Sequence, residues 1–136
     1  MKTNLIRTLT LSAAALTLVS LAYAQTTEVA AIPFPFLVRG AQMPAGTYTI
    51  QQAMHADPKA LYLTNGHDRN MVVGVAAGYE DTKGARLVFS CRESTGCVLR
   101  EIWNGRGSGV AFPMPKLSSA EKERLAVIFI HRSESD

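Results

Sequence analysis

The sequence predicts a mainly β protein: a small antiparallel meander β-barrel of seven to eight short strands, with one short helix before the last strand. Three observations support this class. Short runs of β-branched and aromatic residues recur along the chain, turn-forming residues separate them, and one group of good helix formers occurs near the C-terminus. An open sandwich is the alternative architecture.

The first 24 residues are typical of a cleaved secretory signal peptide. Lys2 and Arg7 precede an apolar run over residues 9–21, and residues 22–24 match the A-x-A pattern that signal peptidase accepts. Cleavage leaves one predicted domain over residues 25–136, which is 136 less 24, or 112 residues. We therefore expect a secreted protein, periplasmic or extracellular, with no transmembrane segment after cleavage.

The predicted mature chain is close to neutral. The whole chain has 14 Lys and Arg residues against 11 Asp and Glu residues, and the leader carries two of the basic ones. Since 14 less 2 leaves 12 against 11, the net charge is about +1. The basic residues are spread singly and form no stripe suited to a phosphate backbone, so no nucleic-acid partner is expected.

The first predicted strand covers residues 32–38, where Phe34 and Phe36 share one face and the two prolines the other. Because proline donates no ladder hydrogen bond, this strand should lie at an edge or at a seam. Residues 43–46 then have the signature of a type I turn. In residues 47–51, Tyr48 and Ile50 face one side, which is the pattern of a half-buried strand.

Two more short strands are predicted over residues 60–64 and 71–78, with a tight turn over residues 65–68 between them. Gly74 and Ala76 share one face of the second strand. Side chains this small indicate close packing against a neighbouring element.

Residues 85–103 are predicted to form the central hairpin, with Gly96 where the turn needs a left-handed residue. Cys91 and Cys97 are expected to form a disulfide that stabilises by roughly 2 kcal/mol. A redox or metal pair is the alternative, but the spacing is C-x5-C and the chain has no other cysteine. The register implied by facing cysteines pairs Ser90 with Val98, Phe89 with Leu99, and Val88 with Arg100.

The C-terminal part of the sequence predicts one helix and one strand. Ser118 and Glu121 match a capping box, and residues 120–125 are good helix formers. Residues 126–131 are again β-branched and aromatic, so the chain is expected to return to the sheet.

The order of these motifs resembles a group of small uncharacterised secreted β-rich proteins of soil bacteria. The matching motifs are P-F-x-F-x-V-x-G over residues 33–40, P-A-G-x-Y-x-I over residues 44–50, L-V-F over residues 87–89, Ile102 with Trp103, and the proline and short Glu-rich segment over residues 115–125. The resemblance spans most of the predicted mature chain and implies no activity, substrate or catalytic residue. The two cysteines depart from its pattern.

No catalytic residue, metal site or cofactor is predicted. The histidines His55, His67 and His131 lack the spacing of metal ligands, and turn histidines are usually only solvated. Ser119 and Lys122 match the S-x-x-K of acyl-transferring serine enzymes, but the partner motifs of those enzymes are missing and a capped helix explains the match better.

We expect a non-enzymatic secreted module that binds a small apolar ligand in its interior, or an envelope or protein partner at the proline-rich edge. The alternative is a small periplasmic hydrolase or isomerase that uses a rim histidine, His55 or His67, with Asp57 or Asp68. Aromatic residues could line a cavity or simply fill the core. The candidate ligand-binding residues are Phe34, Phe36, Tyr48, Phe89 and Trp103.

Overall fold

The computed structural model describes residues 26–54, 57–79, 83–116 and 121–134. The predicted signal peptide over residues 1–24 lies outside the described residues. Within them the protein is all-β, as predicted, and forms twelve strands in two sheets. The strands are β1 (Thr26–Ile32), β2 (Phe36–Val38), β3 (Ala41–Met43), β4 (Gly46–Met54), β5 (Asp57–Asn65), β6 (Asp68–Val73), β7 (Val75–Tyr79), β8 (Ala85–Arg92), β9 (Gly96–Asn104), β10 (Ser108–Ala111), β11 (Arg124–Phe129) and β12 (His131–Glu134).

One sheet has five strands in the order β12-β1-β4-β5-β6. Its residues alternate between the two faces, and Ala30, Tyr48, Ile50 and Leu63 lie in the hydrophobic core. The predicted half-buried pattern around Tyr48 and Ile50 is therefore confirmed.

The other sheet has seven strands, and five of them lie side by side in the order β11-β8-β9-β10-β7. Strand β2 adds to β9 in parallel and pairs with β3, so the sheet is not a pure antiparallel meander. Leu87, Phe89 and Leu99 are fully buried on the face that meets the five-stranded sheet. One core therefore lies between the two sheets.

The central hairpin formed by β8 and β9 is confirmed, and Cys91 and Cys97 form a disulfide across it. Two pairs of the predicted register also hold, Ser90 with Val98 and Phe89 with Leu99. The third predicted pair is wrong, because Val88 faces Glu101 after a β-bulge at Arg100. A bulge adds one residue to one strand and shifts every later pair.

The predicted barrel is wrong, because neither of the two sheets that the described residues form closes on itself. The chain instead changes sheet at short breaks in its strands. The two prolines divide the predicted strand over residues 32–38 into β1 and β2, and a single residue, Gly74, separates β6 from β7. These breaks send the halves of one apolar run to different sheets, so the number of strands exceeds the predicted seven to eight and each sheet stays open.

The predicted C-terminal helix is also wrong. Residues 121–123 are not helical, and Arg124 and Leu125 already belong to β11, which pairs with β8. Residues 117–120, which include the predicted capping serine, lie outside the described residues. The described residues contain no helix that is long and apolar enough to cross a membrane.

Polar contacts hold the described parts of the connection between β10 and β11, which we call the strap (residues 112–116 and 121–123). Arg92 Nη1 donates to the Pro115 carbonyl at 2.7 Å, and the Ser94 amide donates to Glu121 Oε1 at 2.9 Å. Arg100 Nη1 lies 3.2 Å from Glu123 Oε1. These contacts use the acidic residues of the predicted helix to attach the strap to the hairpin.

The strap contacts predict acid sensitivity. The Ser94 hydroxyl and amide lower the pKa of Glu121 below its ordinary value of 4.5, and the Ser90 hydroxyl, with Arg100 and Arg92, lowers that of Glu123. A carboxylate with a lowered pKa stabilises the folded state above its ordinary pKa, and this contribution is lost as the pH falls through the lowered value. We therefore expect the free energy of unfolding to decrease as the pH falls below 4.5.

The measurement is urea unfolding at a series of pH values from neutral to about 3. In the double variant Glu121→Gln, Glu123→Gln, part of the decrease should disappear. The control is Glu93→Gln, which removes one carboxylate from the exposed hairpin turn outside the strap and should keep the acid sensitivity of the wild type. An unchanged pH profile in the double variant would contradict the role of the two carboxylates.

Candidate functional site

An apolar cavity of about 170 Å³ lies between the two sheets at one end of the sandwich. Both sheets contribute to its wall through residues of the core faces. The five-stranded sheet provides Ile50 and Leu61, and the seven-stranded sheet provides Ile102 and Val110. The full lining is Glu28, Ile50, Pro58, Lys59, Leu61, Ala76, Ile102, Trp103, Asn104, Ser108, Gly109 and Val110.

Strand alternation explains why two opposite charges stand at this cavity. Glu28 is two residues from the buried Ala30 on β1, so it shares the core-facing side of that strand. Lys59 stands in the same relation to Leu61 on β5. Both residues lie on the inward face of their strands, just beyond the last apolar residues of the core. The cavity thus combines an apolar wall with one acidic and one basic residue.

Trp103 belongs to this wall and is held by three neighbours. Its indole Nε1 donates to Glu101 Oε2 at 2.8 Å, and the Arg86 guanidinium lies 5.4 Å from the ring centroid. Gly109 is its cross-strand partner on β10, and a Cβ there would lie only 2.5 Å from the indole. A glycine at this position therefore lets the ring lie against the β10 backbone.

The other four predicted ligand-binding residues form an aromatic cluster in the core, away from the cavity wall. The Phe89 ring centroid lies 5.0 Å from that of Phe34 and 5.3 Å from that of Phe36. The Phe36 and Tyr48 centroids are 5.4 Å apart. Edge-to-face pairs at these distances are typical of well-packed cores. Only Trp103 of the five predicted residues lines the cavity.

Sequence reasoning missed the aliphatic residues of the wall. The signal that could have found them is alternation, since Ile50 and Leu61 lie in the inward rows of their strands. Alternation identifies the inward-facing residues of a strand, but it does not show which of them border a cavity.

The structure separates Asp57 from the other described rim residues, His67 and Asp68. Asp57 begins the nine-residue strand β5, whereas His67 and Asp68 lie in and after the turn at its other end. At about 3.3 Å per residue the two ends are roughly 26 Å apart. His55 lies outside the described residues, and among those described no group of three or more His, Cys, Asp and Glu residues could hold a metal ion.

His67 and Asp68 instead line an open polar recess of about 340 Å³ together with Tyr48 and Asn65. The Tyr48 hydroxyl donates to the Pro44 carbonyl at 2.5 Å, and burial raises the pKa of this tyrosine. The hydroxyl therefore stays protonated, and its hydrogen bond stabilises the turn before β4.

Comparison of the chain with models of protein families, with curated proteins and with solved structures finds no match. The geometry of the chain itself therefore carries the functional argument.

Proposed function

We propose that this protein is a secreted binding module that holds one small apolar molecule, or the apolar end of a larger one, in the cavity between its sheets. The observation that carries the proposal is the apolar space of about 170 Å³, lined by Ile50, Leu61, Ile102 and Val110. An apolar protein cavity of about 150 Å³ accepts benzene. A single aromatic ring or a short alkyl chain therefore fits this space.

The charged residues at the cavity define the rest of the ligand. Glu28 and Lys59 can meet a polar or charged group attached to the apolar part, while the ring or chain contacts the aliphatic wall. Burying about 150 Å² of apolar ligand surface, at about 25 cal/mol per Å², contributes about 4 kcal/mol. Because association also costs translational and rotational freedom, the dissociation constant for a simple apolar probe is about 1 mM or weaker.

A secreted location is part of the proposal. The sequence features that support it are the predicted leader and the hairpin disulfide, since disulfides persist in oxidising compartments. Binding is favoured over the hydrolase or isomerase alternative because Asp57 and His67 stand at opposite ends of β5, and because the recess that His67 and Asp68 share is open and polar and does not enclose a substrate.

Trp103 provides the test, because it is the single tryptophan of the chain and lines the cavity. We expect titration with benzene and with 1-hexanol to give a saturable change in tryptophan emission. The variant Ala76→Phe places a ring at the cavity wall, and we expect it to raise the apparent Kd at least about tenfold.

The matched control is Ala77→Phe, at the next position of the same strand, which points to the opposite face and does not line the cavity. It should bind like the wild type. Equal loss of binding in both variants, or a linear emission change without saturation in the wild type, would contradict the proposed site.

A further inference from the structure

A groove that we call the edge slot runs between strands β3 and β6. In the part of the chain that the structure describes, β3 pairs only with β2 and β6 only with β5. The polar recess of about 340 Å³ that contains His67 and Asp68 forms one end of the slot, and a recess of about 300 Å³ forms the other. Residues of both strands line both recesses, which share Ala41 and Asn70. The slot therefore follows β6 from Asp68 to Val73.

The turn before β6 determines which backbone groups of this strand face the slot. Asn65 pairs with Asp68, so the hairpin between β5 and β6 has a two-residue turn. The residues that flank such a turn form a hydrogen-bonded pair, and these pairs alternate with non-hydrogen-bonded ones along the ladder. Every second residue of β6, counted from Asp68, therefore bonds to β5. The amide and carbonyl groups of Arg69 and Met71 face away from β5, into the slot.

Two hydrogen bonds agree with this alternation, and one of them marks the end of the slot. The Gly74 amide donates to the Lys59 carbonyl at 3.1 Å, as expected for the next residue that bonds to β5. The Val73 carbonyl, on the slot side, accepts a hydrogen bond from Arg39 Nη1. Beyond Gly74 the chain continues as β7, which pairs with β10. The unpaired stretch of β6 therefore consists of Arg69, Met71 and the residues between and beside them.

The opposite wall of the slot also presents backbone groups. Val38 pairs with Ala41, so β2 and β3 also flank a two-residue turn. Alternation then directs the amide and carbonyl of Gln42 away from β2, toward the slot. Both walls thus offer donors and acceptors in the arrangement that an extended polypeptide complements, because a strand carries the same groups at the same two-residue spacing.

The charged groups on the outer side of the slot are cationic. The Arg69 guanidinium lies 3.7 Å from the centroid of the Tyr62 ring. Stacking of this kind uses the flat face of the guanidinium and leaves the N–H donors at its edge to a carboxylate. Arg39 is exposed at the other end of the slot. The acidic Asp68 precedes Arg69 and so lies on the opposite face of β6.

We propose that the edge slot binds an extended acidic peptide segment of another protein as an added strand, antiparallel to β6. The peptide residues opposite Met71 and Arg69 exchange backbone hydrogen bonds with them. An apolar side chain then meets Met71, and a carboxylate meets Arg69. Because the strands are antiparallel, the partner of Met71 comes two positions before the partner of Arg69. The recognised pattern is therefore an apolar residue, any residue, and an acidic residue.

The probe is the capped peptide acetyl-Thr-Val-Thr-Glu-Thr-amide, added to the full mature chain and followed by amide NMR. We expect saturable shifts and slower hydrogen exchange at the amides of Arg69 and Met71. The amides of Asn70 and Val72 bond to β5 in the free protein, so they should be protected from exchange with or without peptide. The same peptide N-methylated at its Val and Glu residues lacks both donors to β6, and its apparent Kd should be at least about tenfold higher.

Charge provides the matched variants. Arg69→Glu should raise the Kd of the peptide about fivefold, and a peptide with Lys in place of Glu should bind this variant better than the original peptide does. The control is Arg124→Glu, the same change at an exposed arginine of β11, which does not line the slot and should bind like the wild type. Far-ultraviolet circular dichroism verifies that both variants fold.

The proposal would be overturned by the absence of saturable shifts at millimolar peptide, by undiminished binding of the N-methylated peptide, or by equal losses in the two variants. Protection of the Arg69 and Met71 amides that grows with protein concentration, without peptide, would show that a second copy of the chain occupies the slot instead. No residue of the slot lines the apolar cavity, so failure here and failure of apolar ligand binding are distinguishable.

Discussion

Replacing Phe89 by Ala is expected to lower the free energy of unfolding by about 3 to 5 kcal/mol. Phe89 is 0% exposed, and its ring packs edge-to-face against both Phe34 and Phe36. Phe34 follows β1, Phe36 begins β2, and Phe89 lies on β8. Truncation would therefore leave a cavity where the proline-broken segment passes from one sheet to the other. Urea unfolding at neutral pH measures the effect.

The matched control is Phe129→Ala, because Phe129 is 55% exposed on the outer face of β11. We expect this change to cost less than about 1 kcal/mol, since little apolar surface leaves the core. Similar losses in the two variants would contradict the packing described for Phe89.

The second large effect is expected at Gly74, where the chain passes from β6 to β7. A Cβ at this position would lie 2.4 Å from the Ala111 carbonyl oxygen and 2.4 Å from Val110 Cγ1. The carbonyl belongs to the backbone and cannot rotate away, so Gly74→Ala would push β10 away from the connection between β6 and β7. We expect a loss of about 3 kcal/mol in unfolding free energy, measured by urea unfolding.

Gly40→Ala is the control for Gly74→Ala. A Cβ at Gly40 meets nothing within 4 Å, but its φ of +82° is unfavourable for alanine. This substitution should therefore cost only the backbone strain, about 1 kcal/mol. If Gly40→Ala proved the more damaging of the two changes, close approach at Gly74 would not be the important constraint.

The hairpin shows how far local sequence determines structure. Turn chemistry and two cysteines at equal distances from Ser94 were enough to predict the disulfide and the first pairs of the register. The bulge at Arg100 could not be predicted. The Arg100 carbonyl accepts a hydrogen bond from the Phe112 amide, and the Arg100 side chain pairs with Glu123. Both partners are distant in sequence.

The choice between a barrel and two open sheets was also beyond local patterning. The apolar runs before and after Gly74 read as one strand, since nothing in their alternation marks which sheet each half will join. The same applies to the capping-box motif near the C-terminus. Its helix propensity amounts to a few tenths of a kcal/mol per residue, which pairing of β11 with β8 and the Ser94 to Glu121 contact can outweigh.

The candidate site was predicted only in part for a related reason. Large aromatic residues are the usual markers of a binding cavity, yet four of the five fill the core so well that they leave little space. The space instead opens beside the small side chain of Ala76, which shares a face with Val110. Trp103 belongs to both sets because it is one of the five predicted residues and also lines the cavity.

Binding in the cavity is tested most directly by methyl NMR of the protein labelled at Ile, Leu and Val, titrated with benzene. The proposed function predicts saturable shifts at Ile50, Leu61, Ile102 and Val110, which surround the cavity. The exposed Leu125 and Val127 on β11 serve as internal controls and should shift little. Shifts centred on those two residues, or no saturable shift at the four cavity methyl groups, would contradict the proposed site.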